Sequence, residues 1–238
     1  IDEVFHKVES GMANYGIVPV ENSNEGVVGK TLDLLLQNSL KVCGEVLLPI
    51  HQCLLALHTD PRQIEKIYSH PQSLAQCHEW LNKNFPLPQT KRVVAASNAH
   101  AAMIAADDKS VAAIASKKAA EVYKLSIYAE NIEDDPKNTT RFLVIGTQDV
   151  APAGNDKTSL AMSSRNRPGA IHELLSPLAQ HGVSMSHLES RPSRSDLWEY
   201  VFFVDIRGHQ QNEEVSKALE EIRGKATFLK ILGSYPSA

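Results

Sequence analysis

Three short polar segments carry the residue types most able to bind and act on a small molecule. They are residues 19–26 (PVENSNEG), residues 68–72 (YSHPQ) and residues 138–142 (NTTRF). In the third, Thr140 has a hydroxyl that can donate a hydrogen bond. Arg141 can hold a carboxylate through two parallel hydrogen bonds. These residue types suit a ligand that carries hydroxyl and carboxylate groups.

Each segment also has an ordinary structural interpretation. Asn22 and Ser23 could bind a hydroxyl or a carboxylate, but they could equally form a helix N-cap and a turn. Gln72 could simply cap the helix that follows it. The segment around Thr140 could be a capped turn that enters a strand, or a chance glycosylation sequon.

The elements around these segments alternate between strands and helices. Residues 16–20 read as a short apolar strand that leads through the first polar segment into a helix over residues 31–40. Residues 41–57 read as extended segments that cross between two lobes. Further strands are predicted at 64–68, 93–95, 111–115 and 141–146, and further helices over 2–10, from Pro71 through Leu81, over 97–106 and over 116–123. This alternation predicts a parallel sheet covered by helices, with ligands bound where the strands end.

The last third of the chain has the pattern of a separate small domain. Residues 149–157 are rich in Pro, Gly, Asn and Asp and predict a linker. After it, strands are predicted at 158–164, 183–189, 198–206 and 228–232, with helices opened by Pro168 and over 213–223. This βαββαβ order is that of a ferredoxin-like fold.

Composition narrows the class of protein. The 238 residues carry a net charge of −4, which gives no basic footprint for nucleic acid, and no apolar run approaches the roughly 18 residues needed to span a bilayer. The three cysteines, Cys43, Cys53 and Cys77, form no CxxC pair and suit reduced thiols in the cytoplasm. No dinucleotide, phosphate-loop or metal-ligand spacing occurs, so neither cofactor nor metal is predicted. The arginines at 165, 167, 191 and 194 read as scattered surface charge.

The three polar segments, taken in order, resemble the signature of prephenate dehydratases. The match consists of PVENS followed by Glu25-Gly26, then YSHPQ, then NTTRF. The resemblance implies an α/β two-lobed catalytic domain like the type II periplasmic binding proteins. It also implies conversion of prephenate to phenylpyruvate, water and carbon dioxide without a cofactor. Thr140 would then be the catalytic donor to the leaving hydroxyl. The substrate-binding residues would be Asn22, Ser23, Gln72, Thr139, Arg141 and Phe142.

The C-terminal domain resembles an α+β ACT domain, a regulatory module that binds amino acids. One motif reads Gly-Ala-Ile where the family has Gly-Ala-Leu, and the other reads Glu-Ser-Arg-Pro. In the dehydratase family these motifs bind phenylalanine between paired ACT domains. The resemblance therefore implies feedback inhibition and a homodimer or homotetramer. The predicted phenylalanine-binding residues are Gly169, Ala170, Ile171, Glu189, Ser190, Arg191 and Pro192.

The predicted organisation is a catalytic domain over residues 1–148, a linker over 149–157 and an ACT domain over 158–238. The resemblance is greatest to bacterial members in which a chorismate mutase part lies upstream. The family's catalytic domain begins earlier, with a Gly-Pro-x-Gly-Thr-like loop, so residues 1–238 alone are expected to be a poor catalyst. Two rival interpretations remain: a non-catalytic amino-acid sensor, and a periplasmic solute-binding protein, which would need an export signal and no ACT domain.

Overall fold

The structure is a computed structural model, and it describes residues 1–58, 60–193 and 200–238. These residues form two compact units. The discontinuous unit combines Ile1–Leu48 with Thr140–Ala238, and the continuous unit is Pro49–Thr139. The chain therefore passes from one unit to the other at each end of the continuous unit, and the first passage falls within the extended residues predicted to cross between lobes.

Helices and strands alternate along most of the described chain. The helices are α1 (Asp2–Glu9), α2 (Gly29–Gln37), α3 (Pro71–Gln76), α4 (His78–Asn84), α5 (Asn98–Asp107), α6 (Lys117–Tyr123), α7 (Ala170–Gln180) and α8 (Glu213–Lys225). The strands are β1 (Gly16–Asn22), β2 (Gly26–Val27), β3 (Lys41–Pro49), β4 (Cys53–Ala56), β5 (Lys66–Ser69), β6 (Lys91–Val94), β7 (Val111–Ala115), β8 (Ser126–Glu130), β9 (Thr139–Gly146), β10 (Asp156–Ser163), β11 (Met185–Pro192), β12 (Tyr200–Arg207) and β13 (Phe228–Pro236). Among the described residues, no helix has the length and apolar character needed to cross a membrane.

The first sheet of the discontinuous unit has the order β2-β1-β9-β3. Strands β1 and β9 are antiparallel, and their register runs from Gly16 opposite Ile145 to Asn22 opposite Thr140. The register shifts by one residue between Pro19 and Glu21, which places a β-bulge just before the polar end of β1. Such bulges re-aim side chains and are frequent beside active sites. The sheet therefore brings the first and third polar segments together at one end.

The C-terminal domain has the predicted βαββαβ fold, with sheet order β11-β12-β10-β13. One face packs against α7 and α8 through buried residues such as Leu160, Leu174 and Leu219. The opposite face contributes Phe203 and Tyr235 to a core shared with the first sheet. The two sheets of the discontinuous unit are thus joined by one hydrophobic core. The predicted start of the third strand of this domain, Trp198, and the charge at Arg194 lie outside the described residues.

The continuous unit has a five-stranded sheet with the order β6-β5-β7-β4-β8. Strand β5 is parallel to β6 and β7, but β4 is antiparallel to both of its neighbours. The prediction of a parallel sheet was therefore wrong for β4, and it was also wrong for β1 and β9, which are antiparallel in the first sheet. The chain reverses its direction between β4 and β5, which lie on either side of β7, and the connection between them contains only the 3-10 turn Pro61–Gln63 in place of a crossover helix.

Two predicted helices differ from the structure. The helix predicted from Pro71 through Leu81 is two helices, α3 and α4, separated at Cys77. The carboxylate of Asp134 explains the break, because it accepts hydrogen bonds from the backbone amides of Glu79 and Trp80 at 2.9 and 3.0 Å and so begins a new helix. The helix predicted to open at Pro168 begins at Ala170 instead.

Candidate functional site

The side chains of Asn22 and Thr140 meet at the polar end of the first sheet. The two residues are register partners across β1 and β9, so their side chains lie on the same face. Asn22 Nδ2 donates a hydrogen bond of 2.9 Å to Thr140 Oγ1. Accepting this bond uses a lone pair of the hydroxyl and leaves its hydrogen for a further partner. The pair can therefore present a fixed hydroxyl donor to a ligand.

The turn after β1 fixes which way the Asn22 amide faces. Asn22 Oδ1 accepts hydrogen bonds from the backbone amides of Asn24 at 3.0 Å and Glu25 at 3.2 Å. Because the oxygen is held by two donors, the amino group is the part that faces Thr140. The two interpretations left open for Asn22 are thus compatible: the residue forms a local turn with its oxygen and contacts Thr140 with its nitrogen.

Arg141 lies on the face of β9 opposite to Thr140, as alternation along a strand requires. Its Nε donates to Glu45 at 2.7 Å, Nη1 to Asp205 at 2.6 Å and Nη2 to the hydroxyl of Tyr235 at 3.0 Å. The Arg141 side chain is only 13% exposed. This placement differs from the expectation that Arg141 holds a carboxylate of the substrate, because carboxylates of the protein already compensate its charge.

The group of residues around Arg141 forms a buried ion cluster. Lys157 Nζ bonds both carboxylate oxygens of Glu45 at 2.7 and 2.9 Å. Burial alone would raise the pKa of Glu45, but the hydrogen bond from Lys157 and the charge of Arg141 hold that pKa below its ordinary value. Burial and the nearby Asp205 raise the pKa of the Tyr235 phenol, so it stays protonated. The cluster is therefore a paired and hydrogen-bonded set of charges between the two sheets of the discontinuous unit.

Two further predicted substrate residues lie near the Asn22–Thr140 pair in the first sheet. Ser23 is exposed in the turn, and its Oγ donates to Asn24 Oδ1 at 3.0 Å. Phe142 is half-buried and is the register partner of Pro19. Its position two residues after Thr140 puts it on the same face of β9 as Thr140. The discontinuous unit thus gathers Asn22, Ser23, Thr140 and Phe142 around one end of a sheet.

The remaining two predicted substrate residues, Gln72 and Thr139, belong to the continuous unit. Gln72 is half-buried in the first turn of α3, and its backbone amide donates to His70 Nδ1 at 3.4 Å. His70, rather than Gln72, is thus the N-cap of this helix, so the side chain of Gln72 is not needed as a cap. Thr139 Oγ1 donates to the carbonyl of Lys137 at 3.1 Å.

A cavity of about 160 Å³ lies at the start of α7 in the C-terminal domain. Gly169 precedes the helix with a φ of +79°, a conformation that favours glycine, and a Cβ added there would meet no described atom within 4 Å. The lining residues are Ser164, Arg165, Asn166, Arg167, Gly169, Ala170, Ile171, Tyr200 and Phe202. A helix N-terminus, cationic side chains and aromatic rings in one cavity suit a small aromatic acid.

The Glu-Ser-Arg-Pro motif is divided between the two faces of β11. Glu189 is opposite the buried Phe203, on the face towards the first sheet, whereas Ser190 is opposite Phe202 on the other face. Arg191 is on the same face as Glu189 and pairs with Asp33 of α2, with Nη2 3.3 Å from Oδ1. Among the described residues, the lining of the cavity at Gly169 includes none of residues 189–192. The cavity is therefore lined by the first of the two predicted motifs, while Ser190 of the second is the register partner of one lining residue, Phe202.

Sequence reasoning missed the residues that hold Arg141, and it missed Tyr200 and the two arginines in the cavity. One signal was available for Asp205, since it interrupts the apolar run of β12 (YVFFVDIR) and a charge inside a buried strand must be paired. Glu45 offered no comparable signal, because β3 reads as an ordinary amphipathic strand.

The fold and these sites together define an enzyme-like α/β domain with two lobes, of the type II binding-protein class, followed by a regulatory ACT domain. Family models agree: the model described as prephenate dehydratase matches residues 1–150, and the model described as ACT domain matches residues 158–224. The chain belongs to the prephenate dehydratase family.

Individual relatives support this assignment. The bifunctional chorismate mutase/prephenate dehydratase of Neisseria gonorrhoeae is 51% identical over 100% of this chain and 66% of the relative, so the chain spans slightly less than two thirds of that protein. A solved prephenate dehydratase from Arthrobacter aurescens, in complex with L-Phe, has a TM-score of 0.88 at 32% identity and covers 99% of this chain and 79% of the other. A structure described as GqqA, a novel type of quorum quenching acylase, also has a TM-score of 0.88, at 30% identity over 99% of this chain and 86% of the other.

Proposed function

We propose that this chain converts prephenate to phenylpyruvate, with loss of water and carbon dioxide, in phenylalanine biosynthesis. The observation that carries the proposal is the Asn22–Thr140 hydrogen bond, in which two family motifs that are far apart in sequence meet and leave a hydroxyl hydrogen free to bond a ligand. The relatives' names include two activities, chorismate mutase and prephenate dehydratase. We assign only the dehydratase activity to this chain, because the matching family models are those of the dehydratase and the ACT domain.

The chemistry needs a donor at the oxygen that leaves. As the ring carboxylate departs as carbon dioxide, its bonding electrons enter the ring and expel the hydroxyl from the opposite carbon, so the ring becomes aromatic. Hydroxide is a poor leaving group, and a hydrogen bond that strengthens as negative charge develops on the oxygen lowers the barrier. Thr140 supplies that bond and Asn22 positions it. The hydroxide that departs takes up one proton from solvent and leaves as water. Ser23 and Phe142 of the discontinuous unit supply binding contacts.

The test is phenylpyruvate formation from prephenate by the wild-type protein and by Thr140→Val, which keeps the volume and removes the hydroxyl. Turnover should fall by roughly 100-fold or more, the scale of acid–base contributions. Thr147→Val, at an exposed position just after β9, is the matched control and should keep wild-type turnover. A Thr140→Val enzyme within a few-fold of wild type would remove Thr140 from the mechanism. A folded wild-type protein that binds phenylalanine without any turnover would instead be an amino-acid sensor.

Phenylalanine is the ligand we propose for the cavity at Gly169. The opening turn of α7 and the side chains of Arg165 and Arg167 suit its carboxylate, and Tyr200 and Phe202 suit its ring. Glu189 and Ser190 would come from the C-terminal domain of a second copy, which makes the regulated form a homodimer or a larger assembly of dimers. The L-Phe complex of the Arthrobacter relative supports this choice of ligand.

Thermal unfolding of the protein with phenylalanine or tyrosine tests the regulatory site. A ligand that binds only the folded state raises the melting temperature by mass action, and phenylalanine should do so more than tyrosine. Gly169→Val places a β-branched residue at positive φ and should abolish the shift, and Gly169→Ala should weaken it. No shift for a folded wild-type dimer would reject phenylalanine as the ligand. We place the reaction in the cytoplasm, which the free thiols of Cys43, Cys53 and Cys77 support.

A further inference from the structure

Two pairs of residues face each other across the two sheets of the discontinuous unit. Glu21 and Arg141 are register partners on β1 and β9, and His187 and Asp205 are register partners on β11 and β12. Arg141 Nη1 lies 2.6 Å from Asp205 Oδ2, and Glu21 Oε2 lies 3.7 Å from His187 Nδ1. We call these four residues the cross-sheet square, since each pair on one sheet contacts the pair on the other.

The cross-sheet square adjoins the candidate catalytic pair in sequence. Glu21 directly precedes Asn22, and Arg141 directly follows Thr140. Arg141 contacts Asp205 of the C-terminal domain, while Thr140 contacts Asn22 on the other face of β9. A displacement of β11 and β12 that moves His187 and Asp205 would therefore act on the two backbone steps that position the Asn22–Thr140 bond.

The Arg141 end of the square cannot shift by small continuous amounts without a large change in energy. Asp205 is 8% exposed in its side chain, and its other carboxylate oxygen accepts from Ser159 Oγ at 2.5 Å. Ser159 also bonds the hydroxyl of Tyr235, which bonds Arg141 in turn. Buried charges in such a closed network exchange between discrete arrangements, because a half-broken arrangement leaves a charge unpaired. Discrete arrangements are what a regulatory signal requires.

The regulatory motif lies on the same strand as one corner of the square. His187 is two residues before Glu189 on β11, and both face the first sheet. A ligand bound by residues 189–190 at an interface between copies would therefore contact β11, the strand that also carries His187. No separate transmitting element is needed between the ligand site and the square.

We propose that the cross-sheet square carries the effect of phenylalanine from the ACT domain to Thr140, and that Arg141 is a positioning residue rather than a ligand of the substrate. This inference rests on the regulatory site of the proposed function. Phenylalanine binding shifts β11 and β12, the Arg141–Asp205 and Glu21–His187 contacts follow, and the Thr140 hydroxyl loses its alignment with Asn22.

The test uses Asp205→Asn, which keeps the shape and removes the charge facing Arg141, and His187→Gln, at a half-buried position that should fold even if the first variant does not. Both should bind phenylalanine within a few-fold of wild type by calorimetry, since neither touches the cavity at Gly169. Inhibition of prephenate turnover by saturating phenylalanine should shrink towards none, a loss of coupling within the usual range of about 5- to 150-fold. Glu213→Gln, which removes an exposed charge of α8, is the matched control and should be inhibited like wild type.

A second measurement does not depend on turnover. In wild type, phenylalanine should change the hydrogen exchange of the backbone amides of β1 and β9, and in Asp205→Asn and His187→Gln that change should disappear while phenylalanine still binds. If turnover is absent in wild type but this pattern holds, the dehydratase assignment fails and the coupling stands. The coupling is overturned if β1 and β9 do not respond to phenylalanine in wild type, or if a folded variant responds and is inhibited as wild type is.

Discussion

Thr140 and Arg141 are neighbours in sequence with opposite orientations. One contacts Asn22 and keeps a hydrogen free to bond a ligand, and the other is held by Glu45, Asp205 and Tyr235. Alternation along one strand therefore places the hydroxyl proposed for catalysis and the buried ion cluster on opposite faces, although both residues lie in one motif. Adjacent residues of one motif therefore need not all contact the same ligand.

The Asn22–Thr140 bond predicts non-additive effects on catalysis. Asn22→Asp keeps the oxygen that accepts from the turn and removes the amino group that donates to Thr140, so it should lower turnover by about 10-fold or more, since a misaligned donor loses much of its effect. In the double variant with Thr140→Val, the loss should be close to that of Thr140→Val alone, because both changes remove one interaction. Steady-state turnover of the four proteins measures this, and simple multiplication of the two losses would show that the residues act independently.

Glu45 predicts a large loss of stability from a change of one charge. Its side chain is 1% exposed and compensates both Arg141 and Lys157. Glu45→Gln should lower the free energy of unfolding by about 3 kcal/mol, since it removes the carboxylate that pairs with Lys157 and leaves Arg141 with Asp205 alone. Urea unfolding measures the change. Glu121→Gln removes a carboxylate that pairs with Lys118 at the exposed surface, and it should cost less than about 1 kcal/mol.

The pH dependence of stability follows from the lowered pKa of Glu45. A carboxyl whose pKa is lower in the folded than in the unfolded state binds fewer protons when folded, so its contribution is complete above the ordinary value of 4.5 and is lost as the pH falls below it. Wild type should therefore lose stability on acidification below that value more steeply than Glu45→Gln. The free energy of unfolding of both proteins can be measured with urea at a series of pH values. If it falls equally with pH in wild type and Glu45→Gln, Glu45 is not held in its charged form.

At the scale of elements, local patterns determined much of the fold and little of the pairing. The βαββαβ order, the strand at residues 16–20 and the extended segments within residues 41–57 followed from periodicity and turn residues. The split at Cys77 did not, because it depends on Asp134, a residue distant in sequence that caps α4. The cluster around Arg141 was equally hidden, since Glu45 and Asp205 reach it from different sheets. The hydrophobic periodicity of a segment does not reveal which distant segment it contacts.

The two sheets of the discontinuous unit approach each other closely at Gly233 of β13. A Cβ added there would lie 2.1 Å from the carbonyl oxygen of Val42, a backbone atom of β3 that cannot rotate away. Gly233→Ala should therefore lower the free energy of unfolding by about 1–3 kcal/mol or more through overpacking. Gly224→Ala, in α8 with no described atom within 4 Å of the added carbon, should instead raise it by up to about 1 kcal/mol. Thermal unfolding of the two variants compares them, and a Gly233→Ala protein as stable as wild type would contradict this approach.

At the scale of the whole molecule, the discontinuous unit has a consequence for the time at which the candidate site is made. Asn22 and Thr140 are 118 residues apart, and the whole of the continuous unit lies between them. At a synthesis rate of about 5–20 residues per second, several seconds pass between the synthesis of β1 and that of its partner β9. During that interval its apolar residues Val18 and Val20 lack the neighbour that covers them in the finished protein.

The continuous unit ends at Thr139, so it can fold on the ribosome as soon as that residue has emerged, before the rest of β9 is available to pair with β1. Nascent chains stalled after residue 139 has left the exit tunnel should resist brief proteolysis across β4 to β8 and be cut between residues 10 and 48. Chains stalled after residue 238 should resist cleavage in both regions. Protection of residues 10–48 in the shorter chain would show that β1 finds another partner first. A chaperone that binds exposed apolar strands has its longest opportunity on this N-terminal segment, before Thr140 has been translated.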